Sequence, residues 1–89
     1  VLGGCRARGR QSEKDLLFLG EAFREFREQH GLSAGELAAA TGIDGLRIVA
    51  LEEGCLDPDY ELLLTLAEGI GVRPSVLFLR AQELAARKI

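Results

Sequence analysis

The chain reads as an all-α domain of five helices. Three observations predict this. The stretch LSAGELAAATGIDGLRIVALEEG, Leu32 to Gly54, carries two consecutive sets of helix-start and helix-stop residues. On either side of it, apolar residues return every three or four positions. Gly31, Gly42, Gly54 and Gly71 punctuate the pattern, leaving connections of the short kind found in bundles.

Ser12, with Asp15 three residues later, marks the expected start of the first helix. Leu16, Leu19, Phe23 and Phe26 form its apolar stripe. Gly20 inside it is about 1 kcal/mol worse than Ala for helix formation, so close packing against a neighbour is its expected reason. Gly31 ends the helix. His30, the single histidine, sits in the last turn, where a cation suits the helix dipole. A solvated helix-end residue is the simpler reading of it.

Ser33 caps the second helix, expected over Ala34 to Thr41. Glu36 completes a capping box, and Leu32 can staple to Leu37. Gly42 supplies a left-handed C-terminus. Asp44 caps the third helix, expected over Gly45 to Glu53, and Ile43 with Ile48 repeats the staple. Two short helices joined by a tight glycine turn make a helix-turn-helix, whose second helix enters the major groove of DNA. Asp59 is the preferred cap of the fourth helix, with Asp57 before Pro58 as the rival start. Leu63, Leu66, Ala67 and Ile70 give its buried face, and Gly71 closes it. The fifth helix begins at Pro74, with Val72 and Leu77 as its staple, and runs toward Ala86. Leu77, Ala81 and Leu84 share one side of it.

Eighty-nine residues with 47% apolar content suit one domain with a modest core. No apolar run approaches the ~20 residues of a membrane span, so no membrane role is expected. The start, VLGGCRARGRQSEK, lacks Met and reads as a flexible basic tail over residues 1–14, with the domain proper over 15–89. Cys5 and Cys55 do not make a metal set. Two free thiols in a reducing cytoplasm are expected of them, with a disulfide as the alternative. Charge is uneven. From Asp15 to Leu79, twelve carboxylates face four arginines, a net of −8, while Arg6, Arg8, Arg10 and Lys14 sit in the tail. Phosphate neutralisation supplies most of the affinity for DNA, so this balance opposes DNA binding by the folded part.

Leu37-Ala38, Gly42-Ile43, Ile48, Leu51-Glu52-x-Gly54, Pro58, Leu63, Leu66-Ala67 and Gly71-Val72 together resemble the XRE-type, Cro and lambda-repressor-like DNA-binding domain family. The resemblance covers about Leu19 to Leu79. It implies a five-helix lambda-repressor-like fold and a cytoplasmic, sequence-specific regulator of transcription. That regulator would be of the repressor kind, a homodimer on double-stranded DNA, without a cofactor. It implies a DNA face at Ser33, Ala34, Asp44, Gly45, Leu46, Arg47, Val49, Ala50 and Glu53, with Arg24 at the phosphate backbone. It also implies a salt bridge between Arg27 and Glu52. Both adjoin buried residues, Phe26 and Leu51, and a partly buried carboxylate needs such a partner. The fifth helix, through Leu77, Phe78, Leu79 and Leu84, offers more apolar surface than one side of a terminal helix needs, so a dimer face is expected there.

The reading positions depart from the family. Relatives often carry Gln where Ala34 stands, and Gln, Arg, Ser or Lys where Gly45, Leu46, Val49 and Ala50 stand. Leu46, Val49, Ala50 and Glu53 share one outward face by spacing. Apolar side chains touch a thymine methyl but make no bidentate base contact. Ser33 and Arg47 remain as conventional contacts. The alternative is a helix-turn-helix that has lost DNA and docks another protein through Leu46, Val49 and Ala50. Ordinary surface apolar residues and a sensor whose ligand domain lies elsewhere are the remaining readings. No Ser–His–acid set, metal-ligand spacing or phosphate-cradling loop points to an enzyme. Asp57, Asp59 and Glu61 lack the central Gly and closing Glu of a calcium loop.

Overall fold

Helices α1 (Gln11–Gln29), α2 (Ala34–Thr41), α3 (Gly45–Glu52), α4 (Tyr60–Ile70) and α5 (Pro74–Arg87) follow one another without a strand among the described residues. The computed structural model describes the backbone over residues 11–87 and side chains from residue 15. The arm arginines 6, 8 and 10 and Cys5 lie outside the described residues. Because α1 begins at Gln11, the expected boundary at residue 14 falls inside a helix, and Ser12 is not its cap. A helix tolerates serine in its first turn, so Ser12 did not fix the start.

The caps decide where the other helices begin. The Ser33 hydroxyl accepts from the Glu36 amide at 3.0 Å, and Glu36 Oε1 accepts from the Ser33 amide at 2.8 Å. Asp44 accepts from the Leu46 amide at 2.9 Å, and Asp59 from the Leu62 amide at 2.8 Å. Asp59, not Asp57, therefore starts α4. The residues of the expected staples all join the core. Leu37, Ile48 and Leu77 are fully buried, and Leu32, Ile43 and Val72 pack half-buried against the core. At the turn of the helix-turn-helix, Gly42 takes φ 77°, and its amide donates to Ala38 O at 2.9 Å. Helix α3 ends at Glu52 with Glu53 as its cap, one residue earlier than expected.

Every helix contributes to one core. Phe23, Leu37, Ile48, Leu51, Leu66 and Leu77 are its largest fully buried side chains. Each such burial contributes about 1.5–3 kcal/mol. Helix α1 packs on α3 and α5, and α2 packs on α3 and α4. Of the expected α1 stripe, Leu19 and Phe23 are buried, while Leu16 and Phe26 are half-buried. Arg80 ties α5 back to α1, its Nε donating to Glu25 at 2.8 Å and its Nη1 to Glu83 at 3.2 Å. Those hydrogen bonds, Glu25 first, raise the Arg80 pKa.

Gly20 sits where α1 crosses the end of α3. A Cβ there would lie 2.3 Å from Leu51 O and 2.7 Å from Glu52 O. Both are backbone atoms, so a methyl group can fit only if the helices separate. Gly20→Ala sets a propensity gain of about 1 kcal/mol against an overpacking cost of about 1–3 kcal/mol or more. The cost wins, because no flexible side chain can give way. Urea unfolding should show a lower midpoint for Gly20→Ala at unchanged slope. A midpoint above the parent's would contradict this packing.

The expected dimer face on α5 needs correction. Leu77 and Leu84 are 0% and 5% exposed, inside the protein's own core. Helix α1 covers that side of α5. The apolar residues left outside are Val76, Phe78 and Leu79, the last two 45% and 58% exposed.

Candidate nucleic-acid interface

The reading helix is fixed from three directions. Ile48 and Leu51 anchor it in the core. The close approach at Gly20 seats its last carbonyls on α1. Arg27 supplies the third hold. Its Nε and Nη2 donate to the two carboxylate oxygens of Glu52, at 2.5 and 3.0 Å. Its Nη1 donates to Leu32 O at 2.7 Å. One guanidinium thus joins α1, the loop before α2, and the end of α3. The side chains are 11% and 7% exposed, so water hardly screens the pair. The Glu52 hydrogen bond raises the Arg27 pKa above its ordinary value, and the residue stays cationic at any working pH.

The expected DNA-face residues divide into exposed and half-buried sets. Ser33, Asp44, Leu46, Arg47, Glu53 and Arg24 are exposed; Ala34, Gly45, Val49 and Ala50 are half-buried. Leu46 stands out at 69% exposure. Val49 and Ala50 are half-buried, less open than an outward face would have them. The apolar patch therefore shrinks toward Leu46. The Ser33 hydroxyl and the Asp44 carboxylate serve as helix caps. Arg24 pairs with Glu28 at 3.1 Å, both well exposed. Such a pair contributes about 0–1 kcal/mol, so a phosphate can take the guanidinium from it. Among the described residues, ion pairs engage Arg24, Arg27 and Arg80, and Arg47 has none. Arg47 is thus an exposed, uncommitted cation on the reading helix.

Several features escaped the sequence reading. The Thr41 hydroxyl donates to Leu37 O at 2.8 Å and accepts from the Ile43 amide at 3.2 Å, bracing the turn. Gly69 lets α4 approach Thr41 and Leu37, where a Cβ would meet them at 2.4 and 2.9 Å. Threonine at a helix end followed by glycine was the available signal for the first. Cys55 corrects the expectation of free thiols, because it is disulfide-bonded. Compartment gave that expectation. A groove of about 420 Å³ lies between α1, the Asp57–Pro58 loop and α5, lined in part by Leu16, Phe18 and Phe78. None of its lining belongs to α2 or α3. Among the described residues no group of three His, Cys, Asp or Glu could hold a metal, and no single helix is long and apolar enough to cross a membrane.

Residues 19–77 match the model of the family described as a helix-turn-helix domain. Among solved structures, the restriction-modification controller protein C.AhdI from Aeromonas hydrophila is 32% identical, with a TM-score of 0.69 over 71% of this chain and 96% of its own. The clp gene regulator ClgR from C. glutamicum is 27% identical, with a TM-score of 0.75 over 79% of this chain and 91% of its own. An HTH_3 family transcriptional regulator from Vibrio cholerae shares the fold at 22% identity and a TM-score of 0.74, over 85% of this chain and 43% of its own. No curated protein matches the chain. The matched proteins are a controller protein, a gene regulator and a transcriptional regulator, and the chain belongs to a helix-turn-helix family rather than to an enzyme family.

Proposed function

Because the chain belongs to the helix-turn-helix domain family, we propose that it is a cytoplasmic, DNA-binding repressor of transcription that acts as a homodimer. The observation that carries the DNA reading is Arg47, exposed and unpaired among the described residues, on a helix held in place by Arg27 and Glu52. Arginine reads guanine through O6 and N7 in the major groove. Ser33 and Arg24 flank it as phosphate contacts, and the basic arm adds sequence-independent attraction. The acidic remainder of the fold keeps the total affinity low.

The dimer reading is supported by Val76, Phe78 and Leu79, which project from α5 away from its own core. A symmetric pair buries such a surface twice and spans two half-sites about one DNA turn apart. A second reading has one observation in its favour. Leu46, the most exposed large apolar residue among the described ones, suits a protein partner that also touches Val49 and Ala50. One experiment separates them. Select binding sites from a random duplex pool and footprint the winners, then sediment the protein alone and with its site. A palindromic site bound by two copies supports the proposal. No enrichment at low salt would sink it and leave the Leu46 face as the docking surface.

A further inference from the structure

Leu46, the second residue of α3, is the most open large apolar side chain of the reading helix. We propose that Leu46, with Val49 and Ala50 beside it, reads the 5-methyl group of a pyrimidine in the major groove. Thymine and 5-methylcytosine are then accepted alike at one position of the site, and unmodified cytosine is selected against. The inference rests on the regulator reading above and names the base that the reading helix selects.

The direction of the side chain follows from its anchors. Ile48 and Leu51 are fully buried and mark the inner side of α3. At about 3.6 residues per turn, Leu46 lies about 200° around the helix from Ile48 and about 140° from Leu51. It therefore points away from the core. The Asp44 carboxylate holds its backbone, accepting from the Leu46 amide at 2.9 Å. Val49 and Ala50, three and four positions on, are its neighbours on the helix surface, and both are half-buried. The three side chains make a small apolar step with Leu46 outermost.

Two glycines at the starts of α2 and α3 point to a partner that comes close. Gly45 precedes Leu46, and a Cβ there would meet only Ala38 Cβ, at an ordinary 3.8 Å. At Gly35 a Cβ would meet only the Ser33 hydroxyl, at 3.9 Å. Neither glycine has a positive φ. The fold thus requires neither, and each weakens its helix relative to alanine. Glycine does let a backbone approach a ligand closely. The step also lies at the N-terminal end of α3, the end that helix-turn-helix proteins present to base edges. A protein interface asks for a larger contiguous apolar patch than one open side chain supplies.

The chemistry of the base edges then selects the methyl. In the major groove guanine shows two acceptors, adenine an acceptor and a donor, and cytosine a donor. Thymine shows an acceptor and its 5-methyl group. Leu46, Val49 and Ala50 carry no side-chain donor or acceptor. Over guanine, adenine or cytosine they strip water from a polar edge and return no hydrogen bond. Over thymine they cover the methyl and bury apolar surface. 5-Methylcytosine carries the same methyl at the same ring position.

The test uses the full chain and the duplex selected from the random pool. Each thymine of one half-site is replaced in turn by uracil, by cytosine and by 5-methylcytosine, with the complementary base opposite, and affinity is titrated at fixed salt. At one position uracil should weaken binding about fourfold, the effect of one methyl group's burial. Cytosine should weaken binding there at least as much, and methylating that cytosine should recover about fourfold. Leu46→Ala withdraws the outer carbons from an exposed position and should bring the thymine and uracil duplexes to near-equal affinity. A selected site with no fixed thymine, equal binding of thymine and uracil at every position, no recovery on methylating the cytosine, or an undiminished thymine preference in Leu46→Ala would each overturn the proposal and leave the regulator reading standing. Absence of binding to every duplex would overturn both and leave the Leu46 face to a protein partner.

Discussion

Arg27→Ala is expected to lower the unfolding free energy by about 3–5 kcal/mol. Small domains have about 5–15 kcal/mol in all, so this one substitution removes a large part of the total. The reason is the residue left behind. Glu52 is 7% exposed and loses both of its guanidinium donors. Leu32 O loses its donor as well. Replacing both partners together is a different change. Arg27→Met with Glu52→Leu removes both charges and leaves no carboxylate to satisfy, and such replacements are often neutral or stabilising. Urea unfolding of the parent, the single variant and the double variant decides it. A single variant as stable as its parent would show that the pair holds nothing. A double variant that recovers stability but binds DNA poorly would assign the pair to aiming α3.

What the sequence announced was local. Caps, staples and glycine stops act within four or five residues, so Ser33, Asp44, Asp59 and Gly42 could be placed from their neighbours alone. What it concealed depends on which helix lies over which. Leu77 and Phe78 are adjacent and both apolar, and only the path of α1 determines that the first is core and the second surface. The Arg80–Glu25 pair joins residues 55 positions apart, and nothing in either segment points to the other. Gly20 lies between these cases. Its helix-weakening presence signalled close packing, but not that the neighbour would be the end of the reading helix. On the candidate interface, spacing put Leu46, Val49 and Ala50 on one face, yet Val49 and Ala50 are half-buried and of the three only Leu46 is open.

Removing residues 1–10 from the reduced protein should weaken binding to every DNA sequence alike. It should also flatten the dependence of log affinity on log salt by about 2.7, three arginines at about 0.9 each. Lys14 stays in this truncation, because α1 begins at Gln11 and a longer cut would remove its first turn. The effect is large because the fold offers the phosphates little else. From Asp15 to Leu79 its net charge is −8, and Arg27 is committed to Glu52. Arg47→Ala should behave otherwise. Without the guanidinium, a guanine at that position keeps no bidentate partner, which costs about 1–3 kcal/mol, but only on duplexes that carry that guanine. Scrambled DNA should register the removal of one exposed cation and no more. Titrating the selected site and a scrambled duplex at two salt concentrations with all three proteins separates arm from helix. An arm truncation that discriminates between the two duplexes would mean that the arm reads bases. An Arg47→Ala that weakens both equally would reduce Arg47 to a phosphate contact, and sequence choice would then fall to the thymine methyls that Leu46 can touch and to the shape of the DNA itself.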